Sequence, residues 1–192
     1  MKRLAGLRSS SAPSTCSPST ATSTTLARIA KRAKISTGVI SYHFGGKDQL
    51  IQAVVMEVAK LATDLMIPRI LSQTTATEGL RAYIESNLEF MGLHRKPLLA
   101  LVQIVTHAVG EDSRAGPYDH QADVAITDLE KLLDWGQRSG EFRDFDMRSM
   151  AIAIRGAIDA VPGRLLNDPD FDLDLLAREL VTTFTLATRR QQ

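Results

Sequence analysis

Residues 27–51, ARIAKRAKISTGVISYHFGGKDQLI, hold two short amphipathic patterns in quick succession. In the first, Leu26, Ile29, Ala30 and Ala33 recur at i, i+3, i+4 and i+7, the apolar face of a short helix. Thr24 or Thr25 is placed to cap its start. Lys34 and Ile35 interrupt the pattern. Ser36 then stands as the N-cap of a second helix carrying Val39, Ile40 and Phe44, which Gly45 and Gly46 end. Two short helices this close, the first basic and the second opening on small residues, make a helix-turn-helix. Ile29, Ala30, Ile35, Ile40 and Phe44 are expected to pack the pair, leaving Thr37, Gly38, Ser41, Tyr42 and His43 facing outward.

The outward set suits a major groove. Thr37 and Gly38 let the backbone approach base edges, and the Ser41, Tyr42 and His43 side chains bond bases or phosphates. Lys47 opens the next helix, where its charge and the free backbone N–H groups favour a phosphate. The alternative is an ordinary helical hairpin with a few exposed polar residues. Charge bears on the choice. The net charge is +1, yet residues 1–47 contain eight Lys or Arg and no Asp or Glu, so that segment carries +8 and the remaining 145 residues carry −7. One basic end implies a polyanion as its partner.

Outward from the motif the chain changes character on both sides. Upstream, residues 9–25 contain seven Ser, five Thr and two Pro, with no aliphatic residue larger than Ala, a composition that cannot sustain a helix and predicts disorder. Downstream, a long helix is expected from Lys47, with Leu50, Ile51, Val54, Val55, Val58, Leu61, Ala62 and Leu65 on one side and Pro68 kinking or ending it. Further helices are expected over 77–93, 97–110, 118–139, 147–166 and 173–189. No segment alternates at period two for long enough to read as a strand, so the fold is expected to be all-α.

With 192 residues, 44% hydrophobic and 23% charged, the chain has room for about one domain with a small appendage and is neither fibrous nor wholly disordered. No apolar run approaches the roughly 18 residues of a membrane span. Lys2 and Arg3 are not followed by the apolar core of a signal peptide. A cytoplasmic location is expected, with which the lone Cys16 is compatible.

The helix expected from Leu98 to Val109 is apolar nearly all round and is expected to run through the centre of the larger domain. Gln103, Thr106 and His107 share one of its faces and are candidates to line a ligand cavity, with Tyr83, Asn87 and Phe90 before it and Trp135 after it. The alternative for all seven is ordinary core. His107 and Glu111 have metal-ligand spacing, but no HExxH or ExxH set accompanies them, so no metal or other cofactor is expected. GxSxG, CxxC, Walker and GxGxxG motifs are all absent, which argues against an enzyme.

The last two helical patterns suggest self-association. Met147, Met150, Ala151, Ile154, Ala157, Ile158 and Val161 form one stripe, in which Ala153, Gly156 and Ala160 permit close helix approach. Leu173, Leu176, Leu180, Phe184 and Ala187 form another. Paired across a twofold axis they would make a four-helix interface built on Ala153, Gly156, Ala157, Ala160, Leu176, Leu180 and Phe184. The alternative is that a stripe is intramolecular core.

The stretch quoted at the outset resembles the DNA-binding signature of TetR-type transcriptional regulators, and the helical remainder suits their regulatory domain. The resemblance implies that Thr25, Thr37, Tyr42, His43 and Lys47 lie at the DNA and that Phe44 sits in the small domain's core. It also implies a homodimer released from a double-stranded operator by a small-molecule effector. The chain then divides into a Ser/Thr/Pro-rich segment over 1–24, where the family has an amphipathic first helix, a helix-turn-helix over 25–47 and a regulatory and dimerisation domain over 48–192. Lys34 stands where the family usually has Gly, and Ser41 where it often has Tyr. The other reading of the sequence is a helical ligand-binding or dimerising protein that no longer binds DNA because its first helix is lost.

Overall fold

Ser36 decides where the first complete helix begins. Its extended backbone and its Oγ, which accepts from the Val39 N–H at 3.2 Å, start α1 (Thr37–Phe44). Gly45 ends the helix in the left-handed region, φ 65°, and donates its N–H to the Ser41 carbonyl at 2.8 Å. A Cβ there would also fall against the end of the Gln49 side chain, which would have to turn aside, so the left-handed backbone is the main reason for glycine. Lys34, in the preceding turn, takes φ 56° and bears the strain that glycine would avoid, about 1 kcal/mol.

The computed structural model describes residues 30–31, 34, 36–45, 47–108 and 117–190, and of residues 47, 48, 100, 103–108 and 117–122 the backbone alone. Among the described residues seven helices follow α1: α2 (Lys47–Leu71), α3 (Ala76–Leu93), α4 (Arg95–Ala108), α5 (Pro117–Arg138), α6 (Met147–Asp159), α7 (Val161–Asn167) and α8 (Leu173–Thr188). The described residues hold no strand, and a single isolated bridge joins Phe142 to Arg189. The protein is all-α. The chain divides into two compact units, Met1–Leu50 and Ile51–Gln192. The expected disorder of 9–25 lies outside the described residues.

In the first unit Ala30 and Ile40 are buried. In the second, α3 holds the centre. Ten of its 18 residues are buried, and Leu80, Ile84 and Leu88 at i, i+4 and i+8 are sealed almost completely. It packs against α8 through Val181 and Phe184, and against α5 through Leu129 and Leu133. On the far side α6 and α7 contribute Ala151, Ile154, Ile158, Val161 and Leu165 to the same core. The helix expected at the centre, now α4, leaves Leu98 and Leu99 only partly buried, with Leu101 buried beside Ile51 and Val55 in a smaller cluster. The reason is topological: α3 touches α4, α5, α6 and α8, so its face is covered from several directions.

Two prolines bear on the helix boundaries. The helix runs on through Pro68 to Leu71, so this proline does not end it, although it has no N–H to give to the Asp64 carbonyl one turn back. Pro162, by contrast, breaks the single helix expected over 147–166. It has no N–H to give to the preceding turn, and the chain restarts as α7 with proline in its first turn. Asp146 and Asp172 cap α6 and α8, accepting from Ser149 and Leu175 N–H groups at 2.8 Å each.

A loop clasps two helix ends. Glu141 accepts from the Ala76 and Thr77 N–H groups at 2.9 Å each and from the Thr77 hydroxyl at 2.8 Å, so a residue distant in sequence satisfies orphan donors at the start of α3. Arg143 donates its backbone N–H to the Thr188 carbonyl at 2.9 Å and its Nε–H to the Ala187 carbonyl at 2.8 Å, closing the end of α8.

Candidate nucleic-acid interface and effector cluster

On α1 a single residue is buried, and the apolar Val39 is exposed at 42%. Ile40 is buried, while Thr37, Gly38, Ser41, Tyr42 and His43 are all exposed, Tyr42 at 87%. The Tyr42 and His43 rings meet edge to face, 5.3 Å between centroids, so the two project as one aromatic edge. Thr25 lies outside the described residues, and Lys47 is described at the first backbone position of α2. Phe44 departs from expectation. It is 37% exposed rather than in the core: it shares the face of Ile40 at i+4 but stands at the last residue of a helix only eight residues long. Two of its expected partners, Ile29 and Ile35, lie outside the described residues.

Of the seven candidates for a ligand cavity, Tyr83, Asn87, Phe90 and Trp135 have described side chains. Gln103, Thr106 and His107 belong to α4, and their side chains lie outside the described residues. Trp135 is 38% exposed on α5, with its ring by Gly79. Phe90 is buried and stacks on His94 at 4.7 Å between centroids. Tyr83 and Asn87, one turn apart on α3, are brought together by a residue that the sequence pattern did not single out. Arg155 of α6 donates from Nη1 to the Tyr83 hydroxyl at 3.0 Å and to Asn87 Oδ1 at 3.1 Å, and from Nη2 to the Asp159 carboxylate. Asn87 in turn donates to the Tyr83 carbonyl at 2.8 Å. A charged residue between Ile154 and Ile158 in an apolar stripe was the available signal.

Burial pushes the Tyr83 hydroxyl above its ordinary pKa despite the adjacent guanidinium, so the group is a neutral phenol across the physiological range. Burial also works against the charge of Arg155, but the Tyr83 hydroxyl and the Asp159 carboxylate outweigh it and raise the guanidinium pKa. Among the described residues no three His, Cys, Asp or Glu side chains gather to hold a metal ion, and no helix is long and apolar enough to cross a membrane.

The expected self-association stripe separates into inner and outer residues. Phe184 is buried in the chain's own core, and Leu176 and Leu180 pack half-buried against it, because this face of α8 lies on α3. Phe184 is therefore not available to a partner. Ala153, Gly156 and Ala160 are exposed, Ala157 is half-buried, and Ile152, Leu175 and Leu186 stand at 50%, 48% and 57% exposure.

A capped helix with exposed polar residues in the first unit, and a second helical unit with a buried polar cluster, fit the class of helix-turn-helix regulatory proteins. A model of bacterial regulatory proteins of the tetR family matches residues 21–54. The HTH-type transcriptional regulator BetI of Escherichia coli O157:H7 is 34% identical over 133 residues, 57% of this chain and 68% of that regulator. The chain belongs to the tetR family. With other curated relatives the match spans about a third of their length, 34% and 33% in two BetI proteins. The fold is similar to that of the fatty acid degradation regulator FadR from Bacillus halodurans, with a TM-score of 0.70 and 21% identity over 85% of this chain and 88% of that one. It is also similar to AibR, solved in complex with isovaleryl coenzyme A and operator DNA, with a TM-score of 0.65 and 18% identity over 82% and 85%.

Proposed function

We propose that the chain is a ligand-responsive, DNA-binding transcriptional regulator, a repressor that leaves its operator when a small molecule binds the second unit. The observation that carries the reading is the outer face of α1, where Thr37, Gly38, Ser41, Tyr42 and His43 are all exposed in a segment without a carboxylate. Thr37 and Gly38 read bases, Tyr42, His43 and Lys47 hold phosphates, and Thr25 joins them from upstream. Membership of the tetR family supports this assignment, as does AibR, a similar fold solved with both an acyl-coenzyme A and operator DNA. The regulator acts in the cytoplasm as a homodimer, with Ala153, Gly156, Ala157 and Ala160 at the twofold contact, and it has no catalytic step. Leu176 and Leu180 border that contact from the half-buried side of α8.

The effector pocket is assigned to the second unit, around Tyr83, Asn87 and Phe90, with Gln103, Thr106, His107 and Trp135 as its other candidate walls. The test is a mobility-shift titration of the full chain against DNA from its own promoter region, with a random duplex as competitor. Saturable binding that resists the competitor supports the proposal. A specific observation favours the rival, a ligand-binding or dimerising protein without DNA affinity: Phe44, expected to seal the small unit, is 37% exposed. Failure to bind any promoter fragment would establish that rival.

A further inference from the structure

Arg155 places a guanidinium inside an apolar interior, with a side chain only 15% exposed. Its Nη1 is held by Tyr83 and Asn87, and its Nη2 is paired with Asp159. Its Nε–H is buried and meets no acceptor among the described residues. Buried donors are nearly always paired, and an unpaired one on a charged group is the costliest kind. Arginine–carboxylate pairs frequently use the fork formed by Nε and Nη2 in full, because a carboxylate fits both donors at once. Asp159 contacts the fork through Nη2 alone, and its own side chain is 50% exposed.

We propose that the Nε and Nη2 edge of Arg155 anchors the carboxylate of a small effector. The proposal rests on the regulator reading and names the chemistry of its effector. Tyr83 and Asn87 hold the guanidinium from its other edge, so its orientation is fixed before the ligand arrives. The ligand carboxylate replaces Asp159, which turns into solvent at little cost because it is already half exposed. Charge is conserved at the cluster, one carboxylate exchanging for another. The bidentate geometry favours a carboxylate over a neutral carbonyl, and lysine cannot reproduce it.

The test uses the full chain with octanoate, decanoate and dodecanoate as probes, and with decan-1-ol and methyl decanoate as neutral controls. Calorimetry and thermal melting should show saturable binding of at least one acid and of neither control. Arg155→Gln should weaken that binding about tenfold or more, and Arg155→Lys should weaken it by less. Asp159→Asn, which removes the competing carboxylate, should bind the acid more tightly. This last result carries the test if Arg155→Gln fails to fold, because an arginine with only a structural role predicts no gain from it. The proposal is overturned if no acid binds the wild-type chain, if Arg155→Gln binds as the wild type does, or if Asp159→Asn does not tighten binding. Promoter binding measured without acid separates the two readings. DNA bound while no acid binds overturns the carboxylate site and leaves the regulator standing, whereas acid bound without DNA does the reverse.

Discussion

The ring of Phe142 lies directly on Gly136. The Phe142 N–H donates to the Gly136 carbonyl at 2.9 Å, and a Cβ at position 136 would fall 2.1 Å from the ring. Gly136→Ala should therefore push Phe142, only 3% exposed, out of its place and cost roughly 1 to 3 kcal/mol, measured by chemical denaturation. An unchanged midpoint would mean that the ring relocates freely.

Glu141 gives the clearest pH dependence. Burial disfavours its charge, but the Ala76 and Thr77 N–H groups and the Thr77 and Ser139 hydroxyls outweigh burial and hold its carboxyl below the usual range. Because the folded pKa is depressed, this stabilisation is complete above the ordinary carboxylate pKa and is lost as pH falls through the folded value. Glu141→Ala should cost about 1 kcal/mol at neutral pH, as the loss of a helix cap does, and the gap between variant and wild type should close in acid. Thermal melts at several pH values measure both.

Self-association is tested at the break between α6 and α7. Ala160 is exposed, and a Cβ on Gly156 meets nothing within 4 Å, so a single chain tolerates larger residues at both positions. Ala160→Glu should yield monomers in sedimentation with unchanged helix content, because the buried interface would hold an unpaired charge. Operator binding should fall with it, since two reading helices must stand about one DNA turn, roughly 34 to 36 Å, apart. A variant that stays dimeric moves the interface elsewhere.

At the DNA, two substitutions should act in different ways. If each subunit neutralises roughly four phosphates, the log–log salt slope of a dimer is about −7. Lys47→Ala should weaken all sequences alike and flatten that slope by about one unit for each phosphate it leaves without a cation. Thr37→Ala should instead change sequence preference, read from a panel of operator variants.

Much of this is legible in the chain because its causes are local. Ser36 and Gly45 mark the ends of α1 through bonds that span three or four residues, and they are visible as a hydroxyl before and a glycine after an apolar pattern. Lys34, standing where a turn calls for glycine, does take the left-handed conformation. What escapes the sequence depends on distant partners. Glu141 binds donors 64 and 65 positions away, and Arg155 finds Asn87 and Tyr83 68 and 72 positions away. Periodicity identifies the stripe of α8 but not which neighbour covers it, so the pattern points Phe184 toward a partner although it packs beneath α3. Pro162 is readable as a breaker, but the apolar period continues across it from Ile158 to Leu165 and hides the break.

The loop over 139–145 also bears on the order of folding. Through Glu141 and Arg143 it ties Ala76 to Thr188, so a long intervening stretch must be gathered before either helix end gains its bonds. Contacts that close so large a loop meet its entropy first and form late, after the local helices and their nearest packing. Interactions absent from the transition state govern how fast a native protein comes apart rather than how fast it assembles. The clasp thus sets the lifetime of the folded second unit: loosening it should hasten unfolding and leave the refolding rate nearly as it was.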